Sequence, residues 1–288
     1  MTMTIMGGLG ILLFASVAGR VALLAADKKT EEKNERETKG GEAVSQTTGN
    51  QEIQADVAGI QTSSAGTLAV LSDGIGRANT GRVCAGIAAD TLLDAYQPYR
   101  VLHNPEYFFK TSFYEANRRI QKTIGERRGG ACLAAVFVNG RTLHYGLAGD
   151  IRIALLRNQE LIPLSKGQTL DVLALNAYEE GILSKAETVW TMEEKRVWNY
   201  LGLDGFHEIE ISEKPIRLKP GDVILLMTKG IFEVLSWAEI EDILLKDFTL
   251  KEKADSMVME AEKKTGLEKE NGSVLLLRAE VLYEKNEF

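Results

Sequence analysis

Four short segments carry the residue types that suit chemistry. The first, Thr67-Leu-Ala-Val-Leu-Ser-Asp73-Gly74-Ile-Gly76, is an apolar run that ends in Asp-Gly-x-Gly. A strand that delivers one carboxylate and then turns on glycines suits a divalent cation, because small residues let backbone carbonyls approach a metal beside the aspartate. The second is Gly149-Asp150-Ile151-Arg152, the third runs from Lys219-Pro220-Gly221-Asp222 to Thr228-Lys229-Gly230, and the fourth is Glu270-Asn271-Gly272-Ser273. Taken singly, each Asp-Gly or Gly-Asp pair reads as an ordinary turn. Their order along one chain is what gives them force. Other chemistries lack their residues: His103, His144 and His207 are far apart without metal-pair spacing, and neither a Gly-x-Ser-x-Gly elbow nor a P-loop lysine pattern is present.

The elements that would position these segments follow from the apolar pattern. Thr67–Ser72 reads as a buried strand. Val83, Ile87, Ala88, Leu92 and Tyr96 lie at helical spacing across Thr80–Tyr96, and Pro105 opens a second helix over Pro105–Ile124. On that helix, Tyr107, Phe108, Phe109, Phe113 and Tyr114 read as core packing against a sheet rather than as a ligand box. Ala131–Val138 and Arg141–Tyr145 flank Asn139-Gly140, and Ile151–Arg157 and Glu160–Pro163 turn at Asn158-Gln159, giving two hairpins. Val223–Thr228 is an apolar strand launched from a Pro-Gly turn, and Trp237–Leu245 is a helix. Thr249 and Glu252 make a capping box for a helix running to Lys264, and Ser273–Leu282 closes the domain as a strand. Hairpins interleaved with helices indicate an α+β domain with antiparallel sheets and helices outside them, not alternating parallel units.

Composition bounds the classes of function. The chain has 288 residues, 44% hydrophobic and 26% charged, with a formal net charge of −7, so no basic stripe suits nucleic acid as the partner. Cys84 and Cys132 sit inside apolar patterns far apart and read as reduced core residues. Residues 1–26 contain the apolar run Ile5–Ala26, about the ~20 residues a membrane helix needs. It reads as a membrane anchor ahead of a cleaved signal, since no basic n-region precedes it, and ahead of a surface helix, since it is apolar on all faces. Arg20, Lys28 and Lys29 place positive charge on its C-terminal side, which predicts a single-pass cell-membrane protein with its body in the cytoplasm. Residues 27–50 are nearly free of apolar side chains and read as a charged flexible linker. The folded domain is then expected over 51–288.

In their order and context, the four segments resemble the metal-dependent protein phosphatases of the PPM (type 2C-like) family, over about Gln51 to Glu280. The resemblance implies a four-layer α/β/β/α sandwich of two antiparallel sheets flanked by helices. It also implies a two-metal Mg²⁺ or Mn²⁺ site whose water attacks a phosphoserine or phosphothreonine phosphorus. By resemblance Asp73 is the bridging carboxylate, Gly74 offers its carbonyl, and Asp56, seventeen positions before Asp73, is the acidic residue held near the metals. Asp150 and Arg152 match a Gly-Asp-x-Arg element and read as turn-fixing rather than ligating. Leu170–Asn199, with Trp190 and Trp198, corresponds to the family's variable region, a candidate partner-binding flap.

Three departures are as specific as the matches. Lys229 stands where the family has an aspartate ligand. A unit charge ~4 Å from another is worth roughly 4 kcal/mol at an effective dielectric of ~20, so an inward lysine opposes a divalent ion and is expected to sit among Asp73, Asp56 and Glu270. Glu270 replaces an aspartate ligand and moves its charge by ~1.5 Å, one carbon–carbon bond. Gln51, five residues before Asp56, replaces a phosphate-binding arginine and leaves no phosphate-binding residue of the family's kind. Two readings stay open. One is a membrane-tethered pseudophosphatase that binds a phosphoprotein, a kinase or a membrane-complex subunit, with one Mg²⁺ or Mn²⁺ or no ion. The other is an active Mg/Mn-dependent serine/threonine phosphatase with an altered second metal site.

Overall fold

The computed structural model describes residues 41–77, 79–192, 195–266 and 268–279. The membrane-anchor reading of residues 1–26 lies outside the described residues. Among the described residues, no helix is long and apolar enough to cross a membrane.

Side-chain alternation builds the layers. In β3 (Gly66–Gly76) Leu68 and Val70 face one way and Ala69 and Leu71 the other, and in β4 (Gly129–Asn139) Leu133, Ala135 and Phe137 alternate with Cys132, Ala134 and Val136. A strand whose two faces are both apolar must be covered on both sides. One face of these strands packs on α1 (Thr80–Ala95), α2 (Pro98–His103) and α3 (Pro105–Ile124). The other packs on the opposing sheet. There β10 (Val223–Met227) and β11 (Gly272–Arg278) direct Ile224, Leu226, Leu275 and Leu277 inward. Their opposite faces, through Leu225, Met227, Val274 and Leu276, meet α7 (Trp237–Leu245) and α8 (Leu250–Lys263). The order is helix, sheet, sheet, helix, the sandwich that the resemblance implies.

Among the described residues, every strand pairing is antiparallel. The first sheet runs β1-β11-β10-β6-β7, where β1 is Glu42–Thr47, β6 Arg152–Arg157 and β7 Glu160–Pro163. The second runs β2-β3-β4-β5-β8, where β2 is Val57–Ser63, β5 Thr142–Ala148 and β8 Glu210–Ile211, and β9 (Ile216–Arg217) adds to β5. Between β7 and β8 lie α4 (Leu170–Glu179) and α5 (Lys185–Thr191), and the short α6 (Lys229–Phe232) follows β10.

Two expectations need correction. The linker assigned to 27–50 ends early: Glu42–Thr47 is β1, an edge strand paired with β11 from Glu42↔Leu277 to Thr47↔Gly272. It buries Ala43, Ser45 and Thr47 under α8, where Ser45 Oγ donates to Asp255 Oδ1 (2.7 Å) and Thr47 Oγ1 to Glu262 Oε1 (2.6 Å). Hydrogen bonds to helix carboxylates stand in for apolar side chains, so the strand leaves no hydrophobic trace. The second concerns the β4–β5 turn. Asn139 pairs with Thr142, so the loop is Gly140-Arg141, with Gly140 at φ +50°. In the β6–β7 hairpin, Asn158 and Gln159 both take positive φ, as a two-residue primed turn requires.

Candidate functional site

The two sheets open at one edge into a cleft of about 900 Å³. Its floor is set by β3. Asp73 sits opposite Cys132 of β4, at the point where the strand leaves the buried core, and Ser72 Oγ donates to the Cys132 carbonyl (2.9 Å). Asp56, just before β2, is 3% exposed. Its Oδ2 accepts from Thr228 Oγ1 (2.8 Å) and Ser273 Oγ (2.6 Å), so β10 and β11 of the first sheet grip a carboxylate that leads into the second.

Oδ1 of Asp56 is buried without a hydrogen-bond donor. Its neighbour is the Asp73 carboxyl, within side-chain hydrogen-bonding reach, and two ionised carboxylates, both acceptors, can be joined only by a shared proton or a cation. The electrostatics agree. Burial pushes the Asp56 carboxyl up to about 6, against the lowering effect of the Ser273 and Thr228 hydroxyls. Burial and then the Asp56 charge push Asp73 well above the usual carboxylate range.

Asn271 positions the chain leading into Asp56. Its Nδ2 donates to the carbonyls of Thr48 and Ile53 (both 3.0 Å), and its Oδ1 accepts from the Ala55 amide (2.8 Å). Asn271 belongs to the fourth segment, but its positioning task is not one that the pattern of carboxylates discloses; its signal is an amide side chain in the turn just ahead of a buried strand. Gln51 lies on the loop so held and lines the cleft, exposed.

Lys229 and Glu270 meet across the cleft wall. Lys229 Nζ donates to Glu270 Oε1 at 3.0 Å and lies 3.8 Å from Glu233 Oε2. Burial alone would lower the ammonium's pKa, but the Glu270 hydrogen bond and the charges of Glu270 and Glu233 outweigh it and hold the group above the ordinary lysine value. The expected cluster with Asp73 and Asp56 is therefore replaced by a pair with Glu270 and Glu233. The physical reason is local: Glu233 is one helical turn on in the chain, and Glu270 is half-exposed and free to turn toward the ammonium.

Asp150 also reaches the cleft, 3% exposed, with Arg152 Nη1 3.0 Å from its Oδ1. Burial raises its carboxyl and the Arg152 charge opposes that rise. Arg152 in turn bonds the Lys166 carbonyl and lies over the Phe232 ring at 4.7 Å, which ties the β5–β6 turn to α6. Gly74 follows Asp73 against the start of α1, where a Cβ would fall 2.3 Å from the Gly81 carbonyl, so no larger residue fits.

Comparison with known proteins fits this arrangement. No family model matches the chain. The serine/threonine phosphatase stp of Listeria innocua is 24% identical over 222 residues, 75% of this chain and 85% of that protein. The protein phosphatase PhpP of Streptococcus pneumoniae is 25% identical over 208 residues, 70% of this chain and 82% of that one. The serine/threonine phosphatase structure from S. agalactiae superposes with a TM-score of 0.72 at 22% identity, covering 82% of this chain and 98% of its own. These likenesses support a PPM-type family member.

At the cleft, the donor set divides in two. At the Asp56–Asp73 end, an orphaned buried oxygen facing a second carboxylate fits an oxygen-seeking divalent cation. At the Lys229 end the set does not fit, because the Lys229 ammonium pairs with Glu270 at 3.0 Å and neutralises it. Among the described residues, no group of three or more acidic, histidine or cysteine side chains is arranged to hold a metal.

Proposed function

We propose that this chain is a PPM-fold module that binds a phosphoprotein at the cleft and does not turn it over efficiently. The observation that carries the reading is the 3.0 Å pair between Lys229 Nζ and Glu270 Oε1, an internal cation in place of a second metal ion. Its charge is fixed in the chain, so it neutralises Glu270 without offering open positions for water or substrate oxygen.

The second reading, an active serine/threonine phosphatase with one ion, draws on the orphaned Asp56 Oδ1 beside Asp73. Those two carboxylates would hold Mg²⁺ or Mn²⁺, which supplies Lewis-acid polarisation of a phosphoryl oxygen and acidifies water. The chain's own part is to keep Asp56 oriented through Thr228 and Ser273 and to keep the 48–55 loop in place through Asn271. Hydrolysis of a small aryl phosphate with Mn²⁺ separates the readings. The expected result is turnover no faster than that of Asp73→Asn. Metal-dependent turnover that Asp73→Asn abolishes would establish the active enzyme instead.

The proposal includes a membrane tether. Its support is the apolar run Ile5–Ala26, with Arg20 toward its C-terminal end and Lys28 and Lys29 after it, positive charge that favours the cytoplasmic side for the phosphatase-like body. Protease added to intact cells should spare the C-terminal domain, and protease added to inverted vesicles should digest it; digestion from outside would reverse the topology.

A further inference from the structure

The cleft holds positive charge away from the position of the family arginine. Gln51 supplies none there, and Lys229 is committed to Glu270 and Glu233. Three other bases line the same cleft: Arg77, one residue beyond β3, and Lys195 and Arg196 on the segment before β8. All three are exposed, and no described carboxylate forms an ion pair with any of them. Some surface bases elsewhere are paired along their own helices, as in Lys110–Glu106, Arg118–Glu115 and Lys263–Glu260. In a chain of net charge −7, three bases with no ion pair among the described residues gather at one opening, which they share with Glu52, and give it a local positive rim.

The backbone under these bases is held in place. The Leu170 amide donates to the Arg196 carbonyl (3.0 Å), Val197 bridges Thr169, and the Trp198 amide donates to the Gln168 carbonyl (3.1 Å). Leu201 and Ala131 then exchange hydrogen bonds of 2.9 Å in both directions, which ties the segment to β4. Arg77 follows Gly76, the last residue of β3 in register with Gly129. The clustered carboxylates at the floor repel an anion, so a negatively charged ligand is met first by this rim. Guanidinium forks suit phosphate and carboxylate alike.

We propose that Arg77, Lys195 and Arg196 form an anion clamp that selects acidic phosphopeptides, in which a second negative group lies close to the phosphorylated residue. The clamp rests on the phosphoprotein-binding reading above and adds to it the class of sequence recognised. It takes over, from the side of the second sheet, the charge that Gln51 does not provide.

The test uses the full chain in detergent micelles and fluorescence anisotropy with two labelled phosphothreonine peptides, one flanked by Asp and Glu and the other by Asn and Gln. The acidic peptide should bind about tenfold tighter, the worth of one charge-assisted contact. Combined Arg77→Ala, Lys195→Ala and Arg196→Ala should shrink that ratio to about twofold or less, and 0.5 M salt should compress it in the wild type. Equal binding of the two peptides to wild type would overturn the clamp and leave the phosphoprotein reading standing. Binding of neither peptide would overturn that reading, and the clamp with it. The wild-type comparison stands whether or not the triple variant folds.

Discussion

Lys229→Asp should convert a domain that ignores Mn²⁺ into one that Mn²⁺ stabilises. The substitution removes the ammonium that sits 3.0 Å from Glu270 and returns a carboxylate to the cleft wall beside Asp150. Glu270, released from its pair, then faces a site of four acidic groups with no internal cation. Such a site repels itself unless a cation binds. A ligand that binds only the folded state at about 100 times its dissociation constant adds about 2.7 kcal/mol, which for a domain of this size raises the melting temperature by roughly 5–10 °C. The wild type should move by about 1 °C or less under the same titration. Without Mn²⁺ the variant should melt below the wild type, because its new charge has no partner. A thermal-shift titration of both proteins measures all three quantities. Equal and strong stabilisation of the two would show that Lys229 lies outside any metal site, and the internal-cation reading would fall with it.

The sequence was most legible where local physics decides structure. Pro105 opens α3 and the helix runs to Ile124 because the proline fits the first turn and the apolar stripe persists through Ile120. Thr249 caps α8 from the Glu252 amide, with the Glu252 carboxylate reaching back to the Thr249 amide (2.8 Å). The strand β1 was not legible, since Ser45 and Thr47 are buried through hydrogen bonds to Asp255 and Glu262, partners more than 200 residues away. The cleft divides along the same line. Asp73 announces itself because a carboxylate followed by Gly-x-Gly is a local signal. The task of Asn271 does not, because that side chain holds a loop more than 200 residues earlier in the chain. Nor do Arg77, Lys195 and Arg196, which meet at one opening only after β3 and the segment before β8 are laid against β4. Lys229 was visible as a foreign charge, but its choice of Glu233 depended on the short helix that starts at Lys229 itself.

The pair at the floor of the cleft makes the last expected result one of pH. Burial raises the folded-state pKa of Asp56 from its ordinary value of 3.8 to about 6. A carboxyl whose pKa is higher in the folded state favours folding while it is protonated. That contribution is full below pH ~3.8 and is lost as pH rises through about 6. Asp56→Asn removes the cost of holding a buried charge but keeps the acceptor that Thr228 Oγ1 and Ser273 Oγ use. Its amide group can also donate toward Asp73, replacing repulsion with a hydrogen bond. In EDTA at pH 8 the variant should therefore exceed the wild type by about 3 kcal/mol, the free-energy equivalent of about two pKa units. The gap should close through pH 6 and vanish near pH 4. Chemical denaturation across that range reads it directly. A variant less stable than the wild type at pH 8, by a margin that grows with pH, would mean that Asp56 is held as a favourable anion. The floor of the cleft would then already contain the positive partner that its geometry lacks.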